Sequence, residues 1–259
     1  MFLHTYLPSS VFFTLGPLSF HWYGLLMAVA VGAGYWLVRR RLKKLNINVN
    51  LLEGLIIWLV VGGLIGARLV DVFVFEWWYF KDHLSSVLAI WQGGLSWHGG
   101  LIGGGAALYW WCKKNQQPLG QWLDVLAPSL ALGQAIGRWG NYFNQELFGL
   151  PTSLPWGIPI SYQFRPLDYL NQVYFHPVFL YESIGLVLIF VYLWKRRPVL
   201  SGSLLAEYLV LSGILRLALE GLRIDEQLLI FGLRTGIWFA VLAIAAGAGL
   251  WFYWRRQRE

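Results

Sequence analysis

Two short stretches of this chain concentrate polar groups that could bind an anion. The first, GRWGNYFNQELFG (Gly137–Gly149), places Arg138 among asparagine, glutamine and glutamate residues, in a chain that is 57% hydrophobic. The second, SGILRLALEGLR, has Arg216 and Glu220 four residues apart and Arg223 three residues further on. That spacing puts the three side chains on one stripe of a helix. Because guanidinium groups present a planar fork of donors, these arginines indicate recognition of a phosphate or carboxylate.

Charged side chains inside apolar segments need a physical reason, since an arginine at the centre of a bilayer costs about 2.5–3.5 kcal/mol on insertion. Four residues fall within or at the edge of apolar runs: Arg138, Glu182, Arg216 and Glu220. One interpretation is an ion pair between Arg216 and Glu220 that neutralises itself within one helix. However, two arginine-bearing segments together with Arg223 carry more positive charge than Glu220 can neutralise. We therefore expect an anionic ligand, and a lipid phosphate fits such a site.

His98, in SWHGG, lies where glycines interrupt an apolar segment. A structural histidine satisfied by backbone carbonyls is one reading of it. The other is a general base, because the flanking glycines allow a ligand to approach closely and an imidazole titrates near neutrality. The five histidines of the chain show no paired spacing of the kind that metal ligands have, so no metal site is expected.

The composition predicts an integral membrane protein. Only 13% of the 259 residues are charged, against about 25% in soluble domains, and the mean hydropathy is +0.53. The length suits one membrane-embedded domain over residues 1–259. The net charge of +7 does not indicate nucleic acid, because most basic residues stand in short clusters directly after apolar runs. The lone Cys112 excludes an intrachain disulfide and is expected to be structural.

Apolar runs of about 20 residues are long enough to cross a hydrocarbon core of ~30 Å. The chain thus predicts an all-α polytopic membrane protein with about seven transmembrane helices. The predicted spans are Ser19–Val38, Leu55–Phe75, Gly99–Trp111, Gln121–Ile136, Pro177–Trp194, Ser203–Leu222 and Leu228–Trp254. Glycines between Trp91 and Trp97 predict a re-entrant or broken entry to the third span. Residues 141–175 are polar, aromatic and contain proline, and are expected to form a small extracytoplasmic cap.

The basic clusters predict the orientation in the membrane. Those at Arg39–Lys44, Lys113–Lys114, Lys195–Arg197 and Arg255–Arg258 fall on one predicted side and hold 13 of the 20 lysines and arginines. Cytoplasmic loops carry such an excess. The N-terminus and the cap are therefore expected outside the cytoplasm, and the C-terminus inside it.

These motifs resemble the bacterial prolipoprotein diacylglyceryl transferase family. The resemblance rests on GRWGNYFNQELFG, and also on HWYGLL near the start, GGLSWHGGLIGG and HPVFLYE. It extends from Tyr23 to Arg223, and the order and spacing of the motifs agree along that length. The thirteen-residue motif is the most specific of the four.

The resemblance implies transfer of the diacylglyceryl group of phosphatidylglycerol to the lipobox cysteine of a preprolipoprotein, at the outer face of the bacterial inner membrane. The products are a thioether and glycerol phosphate, no cofactor is implied, and nucleic acid is not a partner. The site residues implied by matching positions are Tyr23, His98, Arg138, Asn141, Glu146, Gly149, Arg216, Glu220 and Arg223. One position departs from the family, because Ser212 stands where a tyrosine is expected. Tyr208 or Tyr181 are the candidates to substitute for it.

The reaction needs a thiolate and a site that stabilises a phosphate leaving group. A free thiol has a pKa of about 8.5, so only a small fraction is ionised at neutral pH. We expect His98 to act as the base, and Arg138 and Arg216 to hold the phosphate as its negative charge grows. Asn141, Glu146 and Glu220 are expected to orient those guanidinium groups.

Two other classes of protein share some of these features. Buried arginines and broken helices also line the substrate paths of transporters and channels, although no internal repeat is visible in this chain. A scaffold that binds anionic lipid without turnover would use the same arginines. Either alternative predicts lipid binding or movement without a modified peptide.

Overall fold

The computed structural model describes residues 3–16, 18–90, 93–197, 201–225, 227 and 229–256. Most of these residues are helical, as the apolar runs predict. In this part of the chain the α-helices are α1 (Trp22–Lys44), α2 (Asn50–Val70), α3 (Trp77–Phe80), α4 (Trp97–Lys114), α5 (Leu119–Phe143), α6 (Val178–Lys195), α7 (Ser203–Glu220) and α8 (Thr235–Arg256). The same residues form three two-stranded antiparallel sheets, which pair β1 (Val11–Leu15) with β2 (Leu18–His21), β3 (Ile158–Pro159) with β4 (Tyr174–Phe175), and β5 (Leu229–Ile230) with β6 (Leu233–Arg234).

Three helical segments among the described residues have the length and apolar composition to cross a membrane, namely Asn50–Phe75, Val178–Lys195 and Thr235–Arg256. They support a membrane protein, while the number of seven spans stays a prediction. The first predicted span starts later than expected, because Leu18–His21 pairs with β1 and α1 begins only at Trp22. Three residues of the sequence predictions, Trp91, Leu228 and Arg258, lie outside the described residues.

Two compact units divide the chain: the first unit is Met1–Leu37 with Leu123–Glu259, and the second unit is Val38–Trp122. The single domain predicted over residues 1–259 stays a prediction. In the second unit, α2 and α4 pack through glycines. A methyl group at Gly103 would lie 2.8 Å from Cα of Gly66 and would strike the carbonyl oxygen of Gly62. Backbones approach this closely only where side chains are absent, so the predicted close packing of the glycine-rich helix is confirmed.

A buried arginine organises the chain before α4 in the second unit. Arg68, on α2, donates hydrogen bonds of 2.6 to 2.8 Å to the backbone carbonyls of Ser86, Val87, Gly93 and Gly94. Residues 93–96 are not helical, so their backbone carbonyls do not have the hydrogen bonds that a helix would provide. The Arg68 guanidinium supplies those partners, and both glycines have positive φ, of 96° and 72°. Arg68, to which the sequence analysis gave no role, therefore stabilises the non-helical segment before α4.

In the first unit, α5, α6 and α7 share an apolar core. Its buried residues are Ala127, Ala131, Ala135, Leu186, Ile189, Leu193, Leu204 and Tyr208. The alanines of α5 allow close approach, and Ser183 of α6 donates to the carbonyl oxygen of Ala135 at 2.9 Å. Asp124 accepts hydrogen bonds of 2.7 Å from the backbone N–H groups of Gly202 and Leu204, which otherwise lack partners at the start of α7. These contacts fix the positions of α5, α6 and α7 relative to one another.

The segment between α5 and α6 folds around a small aromatic core. Its buried side chains are Phe148, Ile158, Ile160, Phe175 and Phe179. Arg165 donates to the carbonyl oxygens of Ile160 at 2.8 Å and Leu170 at 2.9 Å, and so ties the segment together. Because α5 continues to Phe143, residues 141–143 of the predicted cap are helical. The extracytoplasmic location of this segment stays a prediction.

Candidate active site

Glu182 lies at the centre of a group of arginines that come from different parts of the first unit. Its side chain, in the second turn of α6, is only 3% exposed. Oε2 of Glu182 lies 2.5 Å from Nε of Arg138 on α5, and Oε1 lies 3.1 Å from Nη1 of Arg216 on α7. Oε1 also accepts from Nη1 of Arg223 at 3.4 Å. Since a buried carboxylate is stable only when it is paired, this one glutamate orients three guanidinium groups.

Glu220, at the end of α7, is a second point where arginines meet. The stripe predicted on one helix holds for Arg216 and Glu220 only, because α7 ends at Glu220 and Arg223 lies in the segment after it. The Glu220 carboxylate lies 3.3 Å from Nε of Arg216 and 4.0 Å from Nε of Arg223. It also lies 3.3 Å from Nε of Arg234, on β6. Arg216 is thus held from two sides, by Glu182 and by Glu220.

Asp225 and Arg234 belong to the same group, although the sequence analysis gave neither a role. Arg223 donates to both carboxylate oxygens of Asp225, from Nε at 2.8 Å and from Nη2 at 2.7 Å. Arg234 donates to the backbone carbonyls of Arg223 at 2.7 Å and of Asp225 at 2.6 Å. Gln227 adds hydrogen bonds to Asp225 at 2.9 Å and to Glu220 at 3.3 Å. The signals for them in the sequence were weak, because Asp225 stands just before the last predicted span and Arg234 lies within it.

The surroundings of Asp225 favour the charged form of its carboxyl group. Burial alone would raise the pKa of Asp225, but the hydrogen bonds and charge of Arg223 oppose it. A hydrogen bond from Gln227 and the charge of Arg216 act in the same direction. The net result is a pKa below the ordinary value of 3.8. Asp225 is therefore a carboxylate at neutral pH and a firm partner for Arg223.

We call these residues together the arginine cluster: Arg138, Arg216, Arg223 and Arg234 with Glu182, Glu220 and Asp225. Among the described residues, the cluster carries one more positive than negative charge. The accessible positive charge lies toward the surface, because the side chains of Arg138, Arg234 and Arg216 are 29%, 25% and 22% exposed while Arg223 is 4% exposed. An anion can therefore reach these three guanidinium groups, whereas Arg223 is buried.

A cavity of about 40 Å³ opens beside the cluster. It is lined by Gln134, Arg138, Glu182, Leu186, Ser212, Leu215 and Arg216. Ser212, the position where a tyrosine was expected, therefore faces the same space as Arg138 and Arg216. Its hydroxyl donates to the carbonyl oxygen of Leu209 at 3.3 Å. Because serine is smaller than tyrosine, Ser212 leaves room next to the partly exposed guanidinium groups of Arg138 and Arg216.

Neither candidate substitute for the missing phenol lines this cavity. Tyr208 is buried among the apolar residues that α5, α6 and α7 share. The hydroxyl of Tyr181 accepts a hydrogen bond from Nε1 of Trp156 at 2.8 Å and lies 3.2 Å from Nδ1 of His176. The role proposed for either tyrosine as a replacement stays a prediction.

Asn141, Glu146 and Tyr23 lie near Arg138 in the first unit. Asn141 is one turn further along α5, and its amide donates to Oε2 of Glu146 at 3.0 Å. The ring of Tyr23 packs so tightly on Gly140 that a methyl group there would collide with it. Tyr23 is also within electrostatic range of Glu146 and Arg138. The structure therefore brings these predicted site residues to one end of α5, while Glu146 is bonded to Asn141 rather than to an arginine.

Gly149 has a structural place beside the cluster. Its backbone pairs with that of Arg223, and its N–H donates to the carbonyl oxygen of His176 at 2.8 Å. A methyl group at Gly149 would lie 2.7 Å from the carbonyl oxygen of Leu222. A glycine is needed here so that the chain can pack against the segment that carries Arg223.

A comparison with protein families shows the family of this chain. The family model described as prolipoprotein diacylglyceryl transferase matches residues 10–253. The chain belongs to the prolipoprotein diacylglyceryl transferase family. The match covers both the arginine cluster and His98.

Curated relatives of this diacylglyceryl transferase family member agree over almost its whole length. A protein of Synechococcus elongatus is 43% identical over 95% of this chain and 88% of its own length. One of Parasynechococcus marenigrum is 42% identical over 97% of this chain and 96% of its own length. One of a Nostoc species is 43% identical over 96% of this chain and 91% of its own length. All three are named phosphatidylglycerol–prolipoprotein diacylglyceryl transferase.

In this diacylglyceryl transferase family member, His98 belongs to the second unit. It lies in the first turn of α4, half-buried and next to Gly99, which packs against Gly66 of α2. The predicted site residues other than His98 all lie in the first unit. The pairing of His98 with the arginine cluster thus stays a prediction. In the described part of the chain, no group of three or more histidine, cysteine, aspartate or glutamate side chains could hold a metal ion.

Proposed function

We propose that this chain transfers the diacylglyceryl group of phosphatidylglycerol to the cysteine thiol of a prolipoprotein and releases glycerol phosphate. The observation that carries the proposal is the arginine cluster, with Arg138 and Arg216 partly exposed and one positive charge in surplus. Phosphatidylglycerol has a single anionic phosphate, which matches that surplus. Membership of the family and the names of its relatives support the same reaction.

The bond changes define what the site must supply. The cysteine sulfur attacks the glyceryl carbon that bears the phosphate, a C–S bond forms and the C–O bond breaks. The electron pair of that bond leaves with the phosphate oxygen, and the thiol proton goes to a base. The leaving group is already a stable anion, so donors that strengthen with its growing charge are the main requirement.

Arg138 and Arg216 would bind the phosphate as it leaves. Nη1 of Arg216 donates to Glu182 at 3.1 Å, which fixes the direction of that guanidinium plane, while Nε of Arg138 forms a close ion pair with the same carboxylate without hydrogen-bond geometry. Such preorganised donors stabilise a transition state without having to reorient, and each contributes roughly 3–4 kcal/mol in well-studied enzymes. Asn141 and Glu146 would bind the substrate near Arg138, and Tyr23 would close the same end of α5.

His98 is proposed as the base that takes the thiol proton. An imidazole with an ordinary pKa near 6.5 is largely neutral at pH 7 and can accept a proton. The side chain of His98 is half-buried at the start of α4, so part of it stays accessible.

The partners and location follow from the same reaction. The acceptor would be the lipobox segment of a preprolipoprotein, and other membrane lipids would surround the protein. The location is proposed as the bacterial inner membrane, with several spans, a periplasmic N-terminus and a cytoplasmic C-terminus. The distribution of lysines and arginines supports this orientation.

The test is a transfer assay with purified protein, phosphatidylglycerol vesicles and a synthetic lipobox peptide, followed by mass spectrometry of the peptide. We expect a mass gain of one diacylglyceryl group on cysteine, absent for a Cys→Ser peptide and for Arg138→Ala. Arg196→Ala is the matched control, because this arginine forms an exposed ion pair with Glu207, separate from the cluster. If folded protein produces no mass gain, the proposed transferase activity is wrong and lipid binding or transport takes its place.

A further inference from the structure

The β5–β6 hairpin ends in a turn whose sequence does not suit its backbone. Phe231 and Gly232 form the two-residue connection, and their φ angles are 51° and 77°. Two consecutive positive φ angles are typical of a type I′ turn, which favours asparagine or aspartate followed by glycine. A bulky residue is unfavourable in the left-handed region. Local folding therefore does not explain the phenylalanine.

The side chains at the tip of this hairpin are apolar and exposed. Phe231 is 92% exposed and Leu229 is 67% exposed, and Ile230 and Leu233 are also exposed. Water is an unfavourable environment for such a group of side chains. The backbone conformation at the tip is thus unfavourable for phenylalanine, and the apolar surface of the tip is unfavourable in water.

The hairpin is continuous with a helix suited to a membrane. β6 ends at Arg234 and α8 begins at the next residue. α8 is one of the candidate spans, and only 17% of its most apolar stretch is buried within the protein. Trp238, in the first turn of α8, donates to the carbonyl oxygen of Ile230 at 3.0 Å, and its ring packs edge-on to Phe231 with centroids 6.3 Å apart. Tryptophan is enriched at membrane interfaces.

The base of the same hairpin is part of the arginine cluster. Arg234 lies 3.3 Å from Glu220 and donates to the carbonyl oxygen of Arg223 at 2.7 Å. Any displacement of β6 would therefore change the partners of Glu220 and the backbone that carries Arg223. The apolar tip and the cationic base are joined by a single short hairpin.

We propose that the β5–β6 hairpin inserts its tip into the outer acyl-chain region of the bilayer and thereby holds the arginine cluster at the level of the lipid phosphates. Phe231 is the anchoring residue and Arg234 is the positioning residue that links the anchor to Glu220 and Arg223. The occupant of this apolar surface is phospholipid. The insertion itself is independent of the reaction, while its effect on turnover rests on the proposed function.

The first experiment measures how deeply the hairpin tip lies in the bilayer. A spin label is attached to Phe231→Cys in a Cys112→Ser background, since Cys112 is the one native cysteine and is buried. The protein is placed in vesicles of phosphatidylglycerol and phosphatidylcholine. Asn171→Cys, an exposed position between β3 and β4, is the control. We expect oxygen to relax the label at 231 more strongly than a water-soluble nickel complex does, and the reverse at 171. Equal access of the nickel complex to both sites would overturn the proposal.

The second experiment separates anchoring from folding. Phe231→Asn suits the type I′ turn, so the unfolding temperature should be unchanged or higher, yet the transfer rate should fall. We expect kcat/KM for phosphatidylglycerol in vesicles to fall about tenfold or more, because the apolar anchor is lost. Phe231→Trp keeps the anchor and should stay within about twofold of the wild type, and so should Asn171→Asp.

The outcomes of the two experiments can be told apart. If Phe231→Asn keeps wild-type kcat/KM, the hairpin does not position the cluster and the inference is wrong. If wild-type protein shows no transfer at all, the proposed function fails, while the depth of the label still decides whether the tip inserts.

Discussion

Replacing Glu182 by glutamine should disrupt the arginine cluster while preserving the shape of the side chain. In the wild type, one carboxylate oxygen pairs with Arg138 at 2.5 Å and the other with Arg216 at 3.1 Å and Arg223 at 3.4 Å. A glutamine has one accepting oxygen, and its NH₂ group cannot face a guanidinium group. Either Arg138 loses its partner, or Arg216 and Arg223 lose one together.

The size of the effect follows from burial. Glu182 is 3% exposed, so its removal leaves positive charge poorly compensated. Removing one member of a buried ion pair costs about 3–5 kcal/mol. Arg138 and Arg216 are 29% and 22% exposed, and water will screen part of that cost. If misorientation removes the contribution of one donor, about 2.7–4 kcal/mol, turnover falls by about 10²–10³-fold.

The assay compares initial rates of peptide diacylglyceryl transfer with thermal unfolding of the same preparations. Glu207→Gln is the matched control, since it removes the carboxylate of the exposed pair with Arg196. Glu182→Asp keeps the charge on a shorter side chain and should give an intermediate rate. If Glu182→Gln stays within about threefold of the wild-type rate, the reasoning about preorganised arginines is refuted.

Three further predictions concern other parts of the chain. Asp225 has a lowered pKa, so its contribution to stability is complete above the ordinary value of 3.8 and is lost as the pH falls through the lower pKa of the folded protein. Asp225→Asn should therefore lower the unfolding temperature at pH 7 but not in strong acid, and an equal deficit at both pH values would contradict this assignment. Gly103→Ala should lower the unfolding temperature because the added methyl group strikes α2, whereas Gly104→Ala, with open space around it, should not. Ser212→Tyr should leave the transfer rate within a few-fold, and a large gain would show that the cavity beside Arg216 impairs the native site.

The helices and part of the site could be predicted from the sequence. Long apolar runs require helices in a membrane, because each backbone N–H and C=O must find a partner within its own segment. The spacing of Arg216 and Glu220 likewise predicts one stripe, and their ion pair confirms it, whereas Arg223 lies beyond the end of α7. The β1–β2 hairpin was not predicted, since β1 (VFFTL) shows no regular alternation, and β2 (LSFH) alternates over only four residues before it continues into an apolar run.

The sequence by itself therefore determined a mostly helical chain of the diacylglyceryl transferase family, with apolar segments typical of a membrane protein and arginines at its candidate site. Only the tertiary structure decided that Glu182 joins three of those arginines and that Asp225 and Arg234 hold Arg223 in place. The periodicity of the sequence predicts only which face of its own helix a residue occupies. The pairing of side chains from α5, α6, α7 and β6 depends on how each element is rotated against its neighbours, and that is set by the packing of the alanine-rich core and by the capping of α7.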